Sequence, residues 1–171
     1  RYEFLWYWFS NFFITIYFFL KLITSNIDFI DNINILISKH SAVITLFIFS
    51  GIYIKKIINL ITHHKFFSEI CAILFLLYPY ILGHSFFNTI DVPFMSVWVL
   101  CTYYIMKISF SFSNEKKIIN KDIIILALLS AFLLSIRISG VLIFFEYLIF
   151  LVFTLINSNT SIFNFIKKFY K

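Results

Sequence analysis

The sequence predicts an all-α fold, a polytopic bundle of transmembrane helices with five or six spans. Its 171 residues are 61% hydrophobic and 22% aromatic, with a mean hydropathy of +0.95. A soluble domain of this size would leave much of that apolar surface in water. Several apolar runs also approach the roughly 20 residues that cross a bilayer core about 30 Å thick. We therefore expect one transmembrane domain over residues 1–171.

Five apolar runs are candidates for crossing helices: residues 41–61, 66–83, 92–108, 123–136 and 138–156. The last two would form one helix of about 50 Å if they were continuous, which is too long for a single crossing. Arg137 and Gly140 interrupt them and predict a helical hairpin that turns there. A sixth run, residues 4–23, is rich in Trp and Tyr, which prefer the membrane interface. It either crosses the membrane or lies on its surface as an amphipathic helix.

The distribution of lysine predicts the orientation of these spans. If the spans alternate, ten lysines fall on one side of the membrane and only Lys39 and Arg137 on the other, joined there by Arg1 and Lys21 if the first run lies at that surface. The ten are Lys55, Lys56, Lys65, Lys107, Lys116, Lys117, Lys121, Lys167, Lys168 and Lys171. The positive-inside rule makes the ten-lysine side cytoplasmic. Residues 83–93 and 137–140 then both emerge on the extracytoplasmic side.

Residues 83–93 form a short polar connection between two long apolar runs. The connection contains His84, Ser85, Asn88 and Asp91. Polar side chains at the ends of membrane helices usually line a binding site or a water-filled cavity. Asp91 has an alternative role as a helix N-cap, because it directly precedes an apolar run with Pro93 near its start. Asn88 has the corresponding alternative of a turn residue, and His84 that of a helix end.

Other function classes are disfavoured. The basic residues lie between the apolar segments and form no basic stripe, so we expect no nucleic-acid partner. Cys71 and Cys101 both lie inside apolar runs, which favours packing over a disulfide or a metal site.

Glu146 also lies inside an apolar run, where a lone carboxylate is costly. We expect it to be protonated or paired with a polar group on a neighbouring helix.

The polar connection carries a resemblance to a known family. Pro79 followed by the H-S-x-x-N-x-x-D-x-P pattern of residues 84–93 resembles a segment of the GT-C membrane glycosyltransferases. More narrowly, it looks like their dolichyl-phosphate-mannose–protein mannosyltransferase-like branch in bacteria. Residues 135–142, with Arg137 ahead of Gly140, are similar to that family's hairpin. The resemblance covers roughly residues 37–156.

The resemblance implies an integral membrane enzyme, in a bacterial inner membrane, that moves a sugar from a polyprenyl-phosphate donor to a lipid, glycan or protein acceptor. Transfer takes place at the extracytoplasmic face, among membrane lipid. It makes Asp91 and His84 candidate catalytic residues, with Asp91 also a candidate ligand for a divalent metal. The candidate substrate-binding residues are Arg137, which would hold the departing lipid phosphate, and Asn88, Ser85 and His40.

The family's principal acid lies in its first external loop, and this chain has no convincing copy of it. Glu3 is the nearest candidate, followed by Asp28 and Asp31. Since the sequence begins at Arg1, we expect a fragment that lacks an N-terminal helix and that loop. The rival hypotheses are a transporter or assembly subunit with an external polar gate, in which Asp91 and Glu146 are proton or ion sites, and a lipid-processing enzyme. The sequence names neither the sugar, the acceptor nor the oligomeric state.

Overall fold

A computed structural model describes residues 11–12, 32–113 and 120–158 of the chain. Residues 32–113 and 120–158 form six α-helices and one 3-10 turn, which confirms the predicted all-α class. The helices are α1 (Asn32–Thr62), α2 (Lys65–Leu77), α3 (Pro79–Ser85), α4 (Asp91–Ser113), α5 (Asn120–Ile136) and α6 (Ile143–Ser158). The 3-10 turn (Ile138–Leu142) directly precedes α6.

Three segments of the described chain are long and apolar enough to cross a membrane: Ile37–Thr62, Asp91–Ser113 and Ile138–Ile156. Helices α2 and α3 make a fourth candidate if the bent pair forms one span. Helix α5 has 17 residues, which is the lower limit of about 17 for a transmembrane helix. The chain therefore has the helices of a multi-pass membrane protein, with three or four candidate spans. The predicted run at residues 4–23 lies outside the described residues, apart from residues 11–12.

The predicted run at residues 66–83 is bent rather than straight. Helix α2 ends at Leu77, α3 begins at Pro79, and the two axes differ by 58°. The cause is local, because a proline disfavours helical backbone in the residue before it. Tyr78 accordingly has φ −60° and ψ 114°, and Pro79 occupies the first turn of α3, where its missing N–H costs nothing.

Helix α4 is the centre of the bundle and contacts α1, α5 and α6. Val97 and Cys101 of α4 are fully buried. The core around them is completed by Ala42, Val43, Leu46 and Phe47 of α1, Leu126, Leu133 and Ile136 of α5, and Ile143 of α6. Cys101 is thus a small packing residue, as predicted. The outer face of α6 exposes large apolar side chains such as Leu148 and Ile149, which suits contact with lipid.

Ion pairs at both ends of α4 show that α5 runs antiparallel to it. Asp91 pairs with Arg137 at one end, and Lys107 pairs with Asp122 at the other. Asp91 and Lys107 are 16 positions apart in sequence, or about 24 Å along the helix. We call the first end the Asp91 end (residues 84–91 and 137–140) and the other the lysine end (Lys55, Lys56, Lys65 and Lys107).

The hairpin predicted at Arg137–Gly140 is present. Helix α5 ends at Ile136, Arg137 is extended, with φ −154° and ψ 138°, and the 3-10 turn follows. Gly140 is required by close approach, since an added Cβ would lie 3.1 Å from the carbonyl oxygen of Leu133. The backbone of the turn therefore packs directly onto the last turn of α5.

Candidate functional site at the Asp91 end

The structure brings the two polar segments of the sequence into direct contact. Arg137 Nη1 lies 2.6 Å from Asp91 Oδ1, although the residues are 46 positions apart. Asp91 begins α4, and Arg137 occupies the extended break between α5 and the 3-10 turn. The break thus places a cation beside the carboxylate at the start of the central helix.

Asn88 holds the Asp91 carboxylate from its other side. Its amide nitrogen donates to Asp91 Oδ2 at 2.8 Å. Its amide oxygen accepts the backbone N–H groups of Ile90, at 3.1 Å, and of Asp91, at 2.8 Å. Asn88 therefore caps the start of α4. The alternative assignment of Asp91 as the cap is wrong, because its carboxylate oxygens bond Asn88 and Arg137 instead.

The Asp91–Arg137 pair is accessible. Each side chain is 56% exposed, and the other guanidinium nitrogens of Arg137 make no hydrogen bond to a described residue. An exposed ion pair contributes at most about 1 kcal/mol to stability. Either residue can therefore release the other and bind a ligand at little cost in free energy. Arginine offers five N–H donors to an anionic ligand.

His84 and Ser85 end the preceding helix α3 but do not touch this pair. The His84 ring packs on Tyr80 with 4.4 Å between ring centroids. The backbone oxygen of His84 accepts the N–H of Asn88 at 2.8 Å. Ser85 is buried, and its hydroxyl donates to the Leu82 carbonyl at 2.7 Å. Within the described chain, the two residues shape the turn before Asp91 and form no hydrogen bond with its carboxylate.

His40 lies at about the height of Asp91 along the bundle. The hydroxyls of Tyr53 in α1 and Tyr104 in α4 are 3.3 Å apart, so these residues are at the same level. His40 precedes Tyr53 by thirteen positions in α1, and Asp91 precedes Tyr104 by thirteen positions in α4, so His40 and Asp91 also lie at about the same level. Nδ1 of His40 is buried and has no hydrogen-bond partner among the described residues.

Among the described residues at the Asp91 end, the one carboxylate available to a metal ion is that of Asp91. No group of three or more His, Cys, Asp or Glu side chains comes together in the part of the chain that the structure describes. Both oxygens of Asp91 already accept hydrogen bonds. Glu3, Asp28 and Asp31, the other candidate acids, lie outside the described residues.

A second polar contact lies deeper, between α4 and α6. The indole N–H of Trp98 donates to Glu146 Oε2 at 2.6 Å, which confirms the expected pairing of Glu146 with a neighbouring helix. Glu146 Oε1 is buried without a partner among the described residues. Beside it, the hydroxyls of Ser130 and Tyr147 are 2.6 Å apart. The position of Glu146 in an apolar run signals a partner, but no local pattern identifies a tryptophan 48 residues away.

Comparison of the chain with protein-family models, with curated proteins and with solved structures found no match.

Proposed function

We propose that this chain is part of a GT-C-type glycosyltransferase that moves a sugar from a polyprenyl-phosphate donor to a lipid, glycan or protein acceptor. The observation that carries the proposal is the Asp91–Arg137 ion pair. It joins the two segments whose sequences resemble the family, at one exposed end of the bundle. A sugar-transfer site needs an acid–base group and a cation for the phosphate, and this pair supplies one of each.

In this proposal the ion pair is the resting state of the site. A donor phosphate competes with Asp91 for the Arg137 guanidinium, which binds phosphate through paired N–H donors. Release of Arg137 leaves the Asp91 carboxylate free to accept the proton of the acceptor hydroxyl. The hydroxyl oxygen then forms a bond to the anomeric carbon, and the bond from that carbon to the phosphate oxygen breaks. The departing lipid phosphate keeps the electron pair and remains with Arg137.

The surrounding residues have supporting roles. Asn88 keeps the Asp91 carboxylate directed along the start of α4 through its 2.8 Å hydrogen bond. The imidazole of His40, whose Nδ1 has no partner among the described residues, and the ring of His84 lie at the same end of the bundle and are candidates for contacting the sugar. Ser85 acts through the turn, since its hydroxyl is committed to Leu82.

The proposal places the Asp91 end outside the cytoplasm, in a bacterial inner membrane. The positive-inside rule supports this orientation, because Lys55, Lys56, Lys65 and Lys107 lie at the opposite end. Ion pairs at both ends of the α4–α5 hairpin support α5 as a further crossing, since they are about 24 Å apart along α4. With α5 and the bent α2–α3 pair counted as spans, the described chain has five crossings.

The experiment is a transfer assay with a radiolabelled polyprenyl-phosphate sugar and membranes that contain the full-length gene product. We expect Asp91→Asn and Arg137→Ala each to lower transfer about 100-fold or more, since each removes a group that acts in the transition state. Asp122→Asn is the matched control, because it removes the ion pair at the other end of the same two helices. Equal transfer per folded protein in the wild type and both site variants would refute the assignment.

One observation favours a second function, that of an ion-coupled transporter. Glu146 is a carboxylate inside a candidate span, with one buried oxygen unpartnered in the described chain. Intramembrane carboxylates of this kind often mark proton pathways. Proton-coupled flux in reconstituted vesicles that Glu146→Gln abolishes, without sugar transfer, would favour this function over the glycosyltransferase.

A further inference from the structure

A basic cavity lies at the lysine end, opposite the candidate active site. It has a volume of about 450 Å³ between α1 and α2. Its polar lining consists of Lys55, Lys56 and Asn59 of α1 and Lys65, Ser68 and Glu69 of α2. Three lysines and one glutamate give this lining a formal charge of +2, so it favours an anion.

The three lysines differ in what holds them. Lys55 Nζ lies 2.7 Å from Glu69 Oε1, and this ion pair bridges α1 and α2. Lys56 Nζ lies over the ring of Tyr53, 4.2 Å from its centroid, a contact that orients the ammonium group without using a carboxylate. Lys65 makes no ion pair with a described residue. Two of the three cations thus lack a carboxylate partner in this part of the chain.

The cavity is next to an exposed apolar surface. Phe66 and Phe67 directly follow Lys65 and are 77% and 51% exposed. Ile61 of α1 is also exposed. Lys56 follows Tyr53 by three positions, and Lys107 follows Tyr104 by three positions. Because Tyr53 and Tyr104 are in contact, Lys56 lies level with Lys107 at the end of the α4–α5 hairpin. Cations bordered by exposed apolar side chains at the end of a membrane bundle match a ligand with an anionic head and an apolar body.

We propose that this cavity binds the headgroup of an anionic phospholipid from the cytoplasmic leaflet. The phosphate lies between Lys56 and Lys65, and the acyl chains run along Phe66 and Phe67. The cavity falls in the range of about 300–1,000 Å³ that is usual for small-molecule sites. Basic pockets between transmembrane helices on the cytoplasmic side bind lipid headgroups in this way. Free phosphate has the same charge chemistry, but it makes no use of the apolar border.

The test measures lipid retention by native mass spectrometry. The protein is reconstituted in vesicles of equal parts phosphatidylglycerol and phosphatidylcholine and then released into detergent. We expect the wild type to retain phosphatidylglycerol selectively. Retention should fall about fivefold in Lys65→Gln and about 25-fold in Lys56→Gln/Lys65→Gln, since each lysine near an anionic surface contributes comparably. Lys121→Gln, which removes an exposed lysine of α5 outside the cavity, should retain the lipid as the wild type does.

Two results would overturn the proposal. In the first, all variants retain phosphatidylglycerol equally, which means that the cavity lysines do not bind it. In the second, millimolar inorganic phosphate displaces the lipid completely, which assigns the cavity to a soluble anion. Circular dichroism of each variant establishes that the helices are intact, so that loss of binding is not loss of fold.

Discussion

The chemistry of the Asp91 end depends on which residue caps α4. The amide oxygen of Asn88 accepts the backbone N–H groups of Ile90 and Asp91. The Asp91 carboxylate is therefore not used as a cap, and it bonds Asn88 and Arg137. An aspartate used as a cap would be turned toward its own backbone. Because Asn88 is the cap and Asp91 is not, the Asp91 carboxylate is exposed beside the Arg137 guanidinium. The same residues read alone as a sequence permit either assignment.

Replacing Asn88 tests whether it caps α4. We expect Asn88→Ala to lower the free energy of unfolding by about 1 kcal/mol, because the capping oxygen is lost, and Asn88→Ser to lower it less. Thr89→Ala is the control, since the backbone N–H groups of Ile90 and Asp91 bond the amide oxygen of Asn88 and not the neighbouring Thr89. Denaturant unfolding in detergent measures the difference. Equal stability of Asn88→Ala and Thr89→Ala would show that Asn88 is not the cap.

At the scale of elements, the breaks between helices position the residues of the candidate site. The Arg137–Gly140 hairpin was predicted, because a charge beside glycine interrupts a helix by local rules. The bend at Pro79 was not predicted, although proline restricts the residue before it by an equally local rule. The contacts across the breaks were not predictable. Arg137 contacts Asp91, 46 positions away in sequence, and Trp98 contacts Glu146, 48 positions away. Both contacts depend on how the helices pack. The sequence thus predicted that residues 83–93 and 137–140 lie at the same end, and tertiary packing decided which of their side chains touch.

The hairpin turn is sensitive to substitution at Gly140. Gly140→Ala places a Cβ 3.1 Å from the Leu133 carbonyl oxygen, a backbone atom that cannot move aside cheaply. We expect the variant to lose about 1–3 kcal/mol of unfolding free energy, as overpacked sites do. Gly83→Ala is the control, because a Cβ there meets nothing within 4 Å and alanine favours helix α3. It should gain up to about 1 kcal/mol. A turn that tolerates Gly140→Ala as well as Gly83→Ala would contradict the close approach.

For the whole molecule, the proposed function requires the two ends of the bundle to face opposite sides of a membrane. The sequence predicted this from its lysines alone, and the structure adds the separation of the two ends along α4. The number of spans was harder to predict, because α5 is short and the α2–α3 pair is bent. Span counts based on composition depend on lengths close to the threshold of about 17 residues.

Cysteine labelling of intact cells tests the orientation. Phe87, at the Asp91 end, is 82% exposed, and Lys121, beside the lysine end, is also exposed. In a Cys71→Ser background, with Cys101 fully buried, a membrane-impermeant maleimide should label Phe87→Cys in intact cells. It should label Lys121→Cys only after the cells are permeabilised. Labelling of both residues from the same side would show that α4 does not cross the membrane as proposed.

We propose that Asp91 and Arg137 are paired for chemistry and not merely to brace α4 against α5. The most direct measurement is sugar transfer by the exchanged variant Asp91→Arg/Arg137→Asp, normalised to folded protein. Since both side chains are exposed, the exchange retains an ion pair and should fold. We predict that it transfers sugar no better than Arg137→Ala, because the cation and the carboxylate have each left the position that they need. Transfer restored to the wild-type rate would show that the pair is only a brace, and it would contradict the account.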